Sequence, residues 1–417
     1  MRDGATDISS LVRDAFLPGP PRKLGVAVSG GGDSVALLHI LHHCFTDEAV
    51  ALHAVTVDHG LRPEAQDEAV KVADLCEQLS IPHSTLRWRG WDGSGNLQDQ
   101  ARQARYGLMT EWAQSYGIND IALGHTADDQ AETFLMRLSR ASGVDGLSGM
   151  GVRRTINGVN MVRPMLRIER CQLRDYLRDN NLSWIDDPSN ENTDFDRIKA
   201  RQALDTLAPL GISVRALGEV SKYMEQAREA LNWYSFLAAR DFVRVDGGDV
   251  LIEHRRLRIL PTEIIRRLLS RAILWINGRD YAPRSAALSL FADAAKQRKS
   301  ATLGGCHMLH QGPYVWICRE LSAVQNERSI PPAIWDKRWR VCGPNEPGCV
   351  VKPLGRRGIL HCEDWRATGR PRTSLLSSPA VWKDGDLIAA PLAGNGADWR
   401  AELVGGPDDF FASLLSH

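Results

Sequence analysis

No C-x-x-C pair occurs among the eight cysteines, Cys44, Cys76, Cys171, Cys306, Cys318, Cys342, Cys349 and Cys362. That spacing builds no zinc ribbon and no disulfide framework, and it reads as reduced, cytosolic usage. Net charge is lacking as well, since 51 Lys and Arg balance 51 Asp and Glu. No global field draws the chain to nucleic acid, so any RNA surface must be a local patch. No uncharged apolar run reaches the ~18 residues of a membrane span. The first residues, with Asp3 and Asp7, hold no apolar core of a signal peptide. These absences set the expectation of a cytoplasmic protein. Internal repeats and low-complexity tracts are missing too. What remains is an ordinary globular composition, 43% hydrophobic and 24% charged. Its length suits about two to four domains.

The strongest local pattern is Ser29-Gly30-Gly31-Gly32-Asp33-Ser34. It follows an apolar β-type run at 24–28 and precedes an apolar helical stretch at 35–41. Strand, glycine turn and helix together aim backbone N–H groups at an anion, with the positive end of the helix dipole behind it. The glycines allow close backbone approach, and both serines can donate to phosphate oxygens. Asp33 repels phosphate unless a cation lies between them, which implies Mg2+. A Walker loop would need a lysine that is absent, and a dinucleotide fingerprint would need glycine where Val35 stands. The hexapeptide instead resembles the pyrophosphate loop of the N-type ATP pyrophosphatases. Those enzymes cleave ATP to AMP and pyrophosphate while adenylating an oxygen.

Strand and helix patterns alternate after the loop. Strands are expected at 51–57, 83–88 and 120–123, and helices at 63–79, 97–116 and 127–138. This order argues for an α/β fold, a parallel sheet with helices on both faces. Ligands then bind beyond the carboxyl ends of the strands. The glycine loop, the Asp58 turn and the Gly124-His125 turn all fall at that edge. The glycine-rich stretch 141–150 reads as a mobile loop, and helices are expected at 170–180 and around Arg197–Arg201. A catalytic domain is expected over 1–211, a mainly helical domain over 212–325 and a small α+β domain over 326–417. Helices are expected at 214–243, 262–276 and 285–295, with strands at 249–253 and 314–318.

A second group of polar residues is His125-Thr126-Ala127-Asp128-Asp129-Gln130-Ala131-Glu132. On a helix, Asp129 and Glu132 share a face, as do Asp128 and Glu132. Carboxylates at a helix start also serve capping and the helix dipole. Beside an Asp-bearing phosphate loop, however, they are the donors that Mg2+ with ATP requires. His125 is open to metal, phosphate or a backbone group. Arg102 and Arg105 lie on one helix face and could stabilise departing pyrophosphate, or pair with nearby acids such as Asp99. Asp58, closing a strand, could face adenine or ribose.

The loop, then Val57-Asp58-His59-Gly60-Leu61-Arg62, Ala101-Arg102-Gln103-Ala104-Arg105-Tyr106 and Gly124–Thr133, resemble the tRNA(Ile)-lysidine synthetases. So do Arg140–Met150, Arg163-Pro164-Met165-Leu166 and Asp187-Pro188-Ser189-Asn190. The resemblance is firm over 23–205, fainter to about 330 and weak beyond. It departs at Ile198, where the family carries asparagine. It implies an ATP- and Mg2+-dependent ligase joining free lysine to C2 of the wobble cytidine of isoleucine tRNA with a CAU anticodon. The route is an adenylated cytidine, and the product reads AUA instead of AUG. It implies ATP contacts from Ser29, Gly30, Gly31, Gly32, Asp33, Ser34, Asp58 and His125. It implies Mg2+ at Asp33 and Asp129, and catalytic roles for Asp33, Arg105, Asp129 and Glu132. Arg163, Arg167, Arg197 and Arg201 are expected to meet tRNA, with further basic clusters at 170–178, 255–258, 337–340 and 356–372. Trp335 and Trp339 could stack on bases there. A homodimer is compatible with the resemblance. The alternative is a tRNA thiolase on the same fold, which needs reactive cysteines near the loop. A small-molecule amide-forming enzyme would not need the long C-terminal extension. A non-catalytic tRNA binder would not need Asp33, Asp129 and Glu132.

Overall fold

The computed structural model describes residues 7–46, 48, 50–60, 64–89, 97–185, 196–279, 281–344, 346–396 and 398–415. The chain packs as two units, residues 1–228 and 229–417. The expected boundaries near 211 and 325 do not coincide with this division. It falls instead inside one long helix, α9, Val214–Phe242.

In the first unit the order is α1 (Ile8–Asp14), β1 (Lys23–Ala27), α2 (Gly32–Phe45), β2 (Ala51–Asp58), α3 (Glu64–Gln78) and β3 (His83–Arg87). Then come α4 (Leu97–Tyr116), β4 (Asp120–Leu123), α5 (Ala127–Leu138), α6 (Val144–Leu147), β5 (Arg153–Ile156), β6 (Val159–Val162), α7 (Arg170–Asp179) and α8 (Asp196–Leu207). The sheet order is β3-β2-β1-β4-β6-β5. All neighbours pair in parallel except the edge hairpin β5–β6. Side chains alternate across β1. Leu24, Val26 and Val28 enter a core with Leu37, Leu38 and Leu41 of α2 and Leu173 and Leu177 of α7. Ala27 enters another with Met109 and Trp112 of α4. Both faces are thus covered by helices, as a parallel sheet requires.

The glycine-rich stretch expected to be mobile is pinned. Arg137 Nη1 donates to the carbonyls of Gly146 (2.7 Å) and Gly149 (2.9 Å). The Gln130 side-chain amide exchanges two hydrogen bonds with the Met150 backbone, at 2.9 and 2.6 Å. Gly149 has φ +69°, and a Cβ there would come within 2.6 Å of Gln130 Oε1.

In the second unit, helices α10 (His254–Ile259), α11 (Thr262–Asn277) and α12 (Ser285–Lys296) accompany an antiparallel sheet. Its strands are β7 (Val243–Asp246), β8 (Asp249–Glu253), β9 (Ala301–Leu303), β10 (Cys306–Gln311) and β11 (Tyr314–Arg319), in the order β7-β8-β11-β10-β9. Toward the C-terminus there are two three-stranded sheets. One is built from Ile334–Trp335, Trp339–Cys342 and Arg400–Leu403, the other from Val350–Pro353, Pro379–Lys383 and Asp386–Ala389. Trp335 and Trp339 are 1% and 4% exposed, packed against Val341, Val351 and Trp399. They are core residues, unavailable for stacking on a base. Among the described residues no helix is long and apolar enough to cross a membrane.

Candidate active site

Parallel pairing puts the carboxyl ends of β1, β2 and β4 at one edge, with Ala27 opposite both Val55 and Leu123. The chain leaves β1 for β2 on one side, while β4 lies on the other. The crevice at such a switch point is where doubly wound folds bind ligands. The glycine loop stands there. Gly30 has φ +87°, and its carbonyl accepts the Ile185 N–H at 3.0 Å. A Cβ on Gly30 would meet Ile185 Cδ1 at 2.7 Å, so the loop is packed from below. Ser34 Oγ donates to the Gly31 carbonyl (2.8 Å) and accepts the Ser29 N–H (3.1 Å), and the two hydroxyls lie 3.2 Å apart. The serines brace the loop. α2 starts at Gly32 with no side-chain cap; the Ser34 N–H turns back to the Gly31 carbonyl at 3.0 Å, which leaves the Gly32 and Asp33 amides for an anion.

Gly124, at the end of β4, presses on this helix start. A Cβ there would lie 3.1 Å from Ser34 Cα and 3.2 Å from Ser34 N. Next, α5 opens with a capping box. Thr126 N–H and Oγ–H both donate to Asp129 Oδ2, at 2.8 and 3.0 Å. Asp129 therefore caps the helix with one oxygen and turns Oδ1 toward Arg170 Nη2 at 3.5 Å. Capping thus uses Oδ2, and Oδ1 is the oxygen left outside the cap.

Arg170, the first residue of α7, draws the acids together. Its Nε lies 3.1 Å from Asp33 Oδ2 and its Nη1 lies 3.4 Å from Glu132 Oε1, while its backbone N–H donates to Asp128 Oδ2 at 2.7 Å. Arg201 Nε and Nη2 reach the same Glu132 Oε1 at 3.1 and 3.0 Å. Glu132 is 1% exposed, and its Oε2 has no partner. Burial pushes the Asp33 carboxyl up; Arg170 opposes this, and Asp129 and Asp128 add to it, leaving the balance upward. Burial works against the charge of Arg170. The carboxylates of Asp33, Asp129, Glu132 and Asp128 outweigh it and hold the guanidinium above the usual arginine range. Among the described residues no three His, Cys, Asp or Glu form a metal cage. Magnesium needs none, taking one or two carboxylates with phosphate and water. Asp33 and the Oδ1 of Asp129 fit that demand.

Around His125 stand the cations Arg105, Arg163 and Arg197. Arg105 is half-buried and has no ion-pair partner among the described residues. Burial lowers its pKa, with Arg102 and Arg197 adding to the effect and Tyr106 opposing it. Arg102 lies over the Tyr106 ring at 5.8 Å. Burial, helped by Arg163, Arg105 and Arg197 and opposed by Asp129, pushes His125 down to about 3. Its Nδ1 is buried and unpartnered. Asp58 Oδ1 accepts the Gly60 N–H at 2.8 Å, closing the turn after β2. Arg167 and Arg197 are exposed. Arg163 is not: it is 4% exposed, donates to the Gly151 carbonyl at 3.0 Å and pairs with the Tyr106 hydroxyl. That burial corrects its expected place on an RNA-facing surface.

Sequence reasoning put Arg170 in a basic patch and missed its place among the carboxylates. One signal was available: an arginine opening a helix sits against the positive end of the dipole and calls for an anion. Ile198 is buried in α8, in keeping with an apolar residue. Residues 61–63 and 186–195, which carry Leu61, Arg62 and the Asp187–Asn190 motif, lie outside the described residues.

The PP-loop domain family matches residues 5–207. A tRNA(Ile)-lysidine synthase of Ruegeria pomeroyi is 53% identical over 414 residues, 99% of each chain. One of Wolbachia pipientis is 35% identical over 383 residues, 88% of each chain. One of Zymomonas mobilis is 38% identical over 298 residues, 70% of this chain and 87% of that one. The likeness extends through the second unit, where the motifs were faint. A glycine loop facing a carboxylate cluster, within a chain alike from end to end, places this protein in the tRNA(Ile)-lysidine synthase family.

Proposed function

We infer that this chain uses ATP to join lysine to C2 of the wobble cytidine in isoleucine tRNA with a CAU anticodon. The observation that carries the reading is the 53% identity to a tRNA(Ile)-lysidine synthase over 99% of both chains. The geometry suits the chemistry. The C2 carbonyl of cytidine is amide-like, a poor electrophile with a poor leaving group. Its oxygen attacks the α-phosphorus of ATP, and pyrophosphate departs. The neutral ε-amine of lysine then attacks C2, AMP leaves with the oxygen, and the amine loses a proton.

The amides at the start of α2 hold phosphate oxygens, and Arg105 neutralises charge on the leaving group. Asp33 and Asp129 would hold Mg2+, which when bound draws charge from the phosphate oxygens. Asp58 and His125 border the nucleotide. With Oε1 taken by Arg201 and Arg170, Glu132 keeps Oε2 for the lysine amine, orienting it or accepting its proton. Arg167 and Arg197 meet tRNA phosphates from the surface, and Arg201 lines the same approach. A thiolase would place reactive thiols by the loop, whereas Cys76 is buried, with its thiol pushed by burial up to about 11.

The test is one reaction of protein, ATP, Mg2+, lysine and an unmodified isoleucine CAU transcript, beside a methionine tRNA. AMP together with a lysine-sized adduct on the isoleucine transcript alone is expected. AMP without that adduct, or an adduct on the methionine tRNA, overturns the substrate assignment.

A further inference from the structure

We propose that Arg170 is a positioning residue that occupies the acidic corner as an internal counter-ion, excluding a bare divalent cation until nucleotide phosphate draws the guanidinium away. The proposal rests on the reading of Asp33 and Asp129 as magnesium ligands.

The guanidinium touches three carboxylates from three places in the fold. These are Asp33 at the phosphate loop (3.1 Å), Asp129 at the α5 cap (3.5 Å) and Glu132 one turn on (3.4 Å). No contact is a close two-pronged pair. The group sits between the acids, in the space a cation shared by Asp33 and Asp129 would take. Its backbone is held firmly. Asp128 accepts the Arg170 N–H, a Glu169–Gln172 capping box fixes the helix start, and Leu173 and Leu177 are fully buried against α2. Tyr176 of α7 also bonds His39 Nδ1 of α2 at 2.8 Å. With the backbone fixed, and with the contacts to Asp129 and Glu132 long at 3.5 and 3.4 Å, the flexible arm is the part free to move. Planar phosphate recognition is the natural competitor for a guanidinium. Phosphates on the α2 amides would lie beside Asp33, within reach of the same arm. Nucleotide would thus recruit Arg170 and release two carboxylates to the metal, so that the two ligands bind together.

The experiment titrates the full chain with Mn2+, without nucleotide, lysine or tRNA, and counts free Mn2+ by electron paramagnetic resonance. Wild type is expected to bind weakly, Arg170→Gln at least tenfold more tightly, and Arg170→Lys between them, since an ammonium keeps the charge but cannot span three acids. The double variant Arg170→Gln/Asp33→Asn should lose the gain. Thermal unfolding supplies a second readout that survives poor folding of the variant. Mg2+ should raise the midpoint of Arg170→Gln and leave that of wild type unmoved. Equal Mn2+ affinity in wild type and Arg170→Gln, or a gain that persists without Asp33, overturns the proposal. Neither measurement uses tRNA or lysine, so failure of the ligase reading leaves this result interpretable, and the reverse.

Discussion

Gly124→Ala tests whether the phosphate loop is set by the strand beside it. The added Cβ would lie 3.1 Å from Ser34 Cα, 3.2 Å from Ser34 N and 3.3 Å from Asp33 C. Ordinary contacts between carbon atoms fall near ~3.5–4.0 Å, so each is short by several tenths of an ångström. All three atoms are backbone, at the start of a helix whose next residues, Ser34 to Leu38, are buried. They cannot swing aside as a side-chain tip would. Overpacking of this kind costs about 1–3 kcal/mol, a fall in melting temperature of roughly 2–10 °C. The same push displaces Asp33 and the loop amides, and a misplacement of that size should slow AMP formation about tenfold. Gly107→Ala is the contrast. It lies within α4, where a Cβ would meet no heavy atom within 4 Å. It should stabilise by about 0.5–1 kcal/mol and leave turnover alone. The measurements are calorimetric unfolding and AMP release for both variants. Wild-type stability and turnover in Gly124→Ala would refute the close-approach argument.

Asp249 is 5% exposed and bonded by Ser374, and burial raises its pKa to about 7, Ser374, Arg370 and Arg338 opposing. The folded state then holds a proton that the unfolded state has lost, so stability falls as pH rises from about 4 to 7; Asp249→Asn should unfold at higher urea than wild type at pH 8, and an equal or lower midpoint would contradict this. His125 has the opposite sign. With its folded pKa near 3, stability is complete above about 6.5 and declines as pH falls below it, by up to ~1.4 kcal/mol per unit. His125→Gln should flatten urea midpoints between pH 6.5 and 4.5, and an unchanged slope would be the failure. Removing exposed Arg197 should lower the salt slope of tRNA binding by about 0.7–0.9, as loss of one phosphate contact does. Buried Arg163→Ala should leave that slope unchanged while lowering stability, and equal slopes for wild type and Arg197→Ala would remove Arg197 from the interface.

The first unit was legible because its signals are local. Helices α4 and α5 and strand β4 begin and end where apolar period and turn residues put them. The second unit was less so. Three of its hairpins turn on two residues each: Gly247-Gly248, Gly304-Gly305 and Gly312-Pro313. Each contains glycine at positive φ, the usual device for a two-residue hairpin. The strands they join are only three to six residues long, too short for alternation to stand out from the helical patterns around them. The tryptophans misled for a related reason. Basic residues interleaved with aromatics read as a surface, but Arg338 is itself buried, over the rings of Trp275 (5.1 Å) and Trp339 (6.0 Å). Composition does not distinguish a wet cation–aromatic patch from a dry one.

The site divides along the same line. Asp33, Asp129 and Glu132 could be named because each stands in a short pattern with its own chemical sense. What holds them together could not, since Arg170 lies 137 positions from Asp33 and 38 from Glu132. The packing of α7 against α2, and the bonds that tie its start to the start of α5, bring the arginine to the acids. Local rules nonetheless marked it as out of place. At the first position of α7 it faces the dipole's positive end, worth about 0.3–1 kcal/mol against it. The surrounding carboxylates reverse that sign. The acids are in turn misplaced without it, because Glu132, buried at 1% exposure, would keep only Arg201. Neither side of this pairing is favourable alone. An unfavourable charge on a helix terminus, matched by an unfavourable cluster elsewhere, is therefore a sequence-level pointer to a contact that neither segment can show by itself.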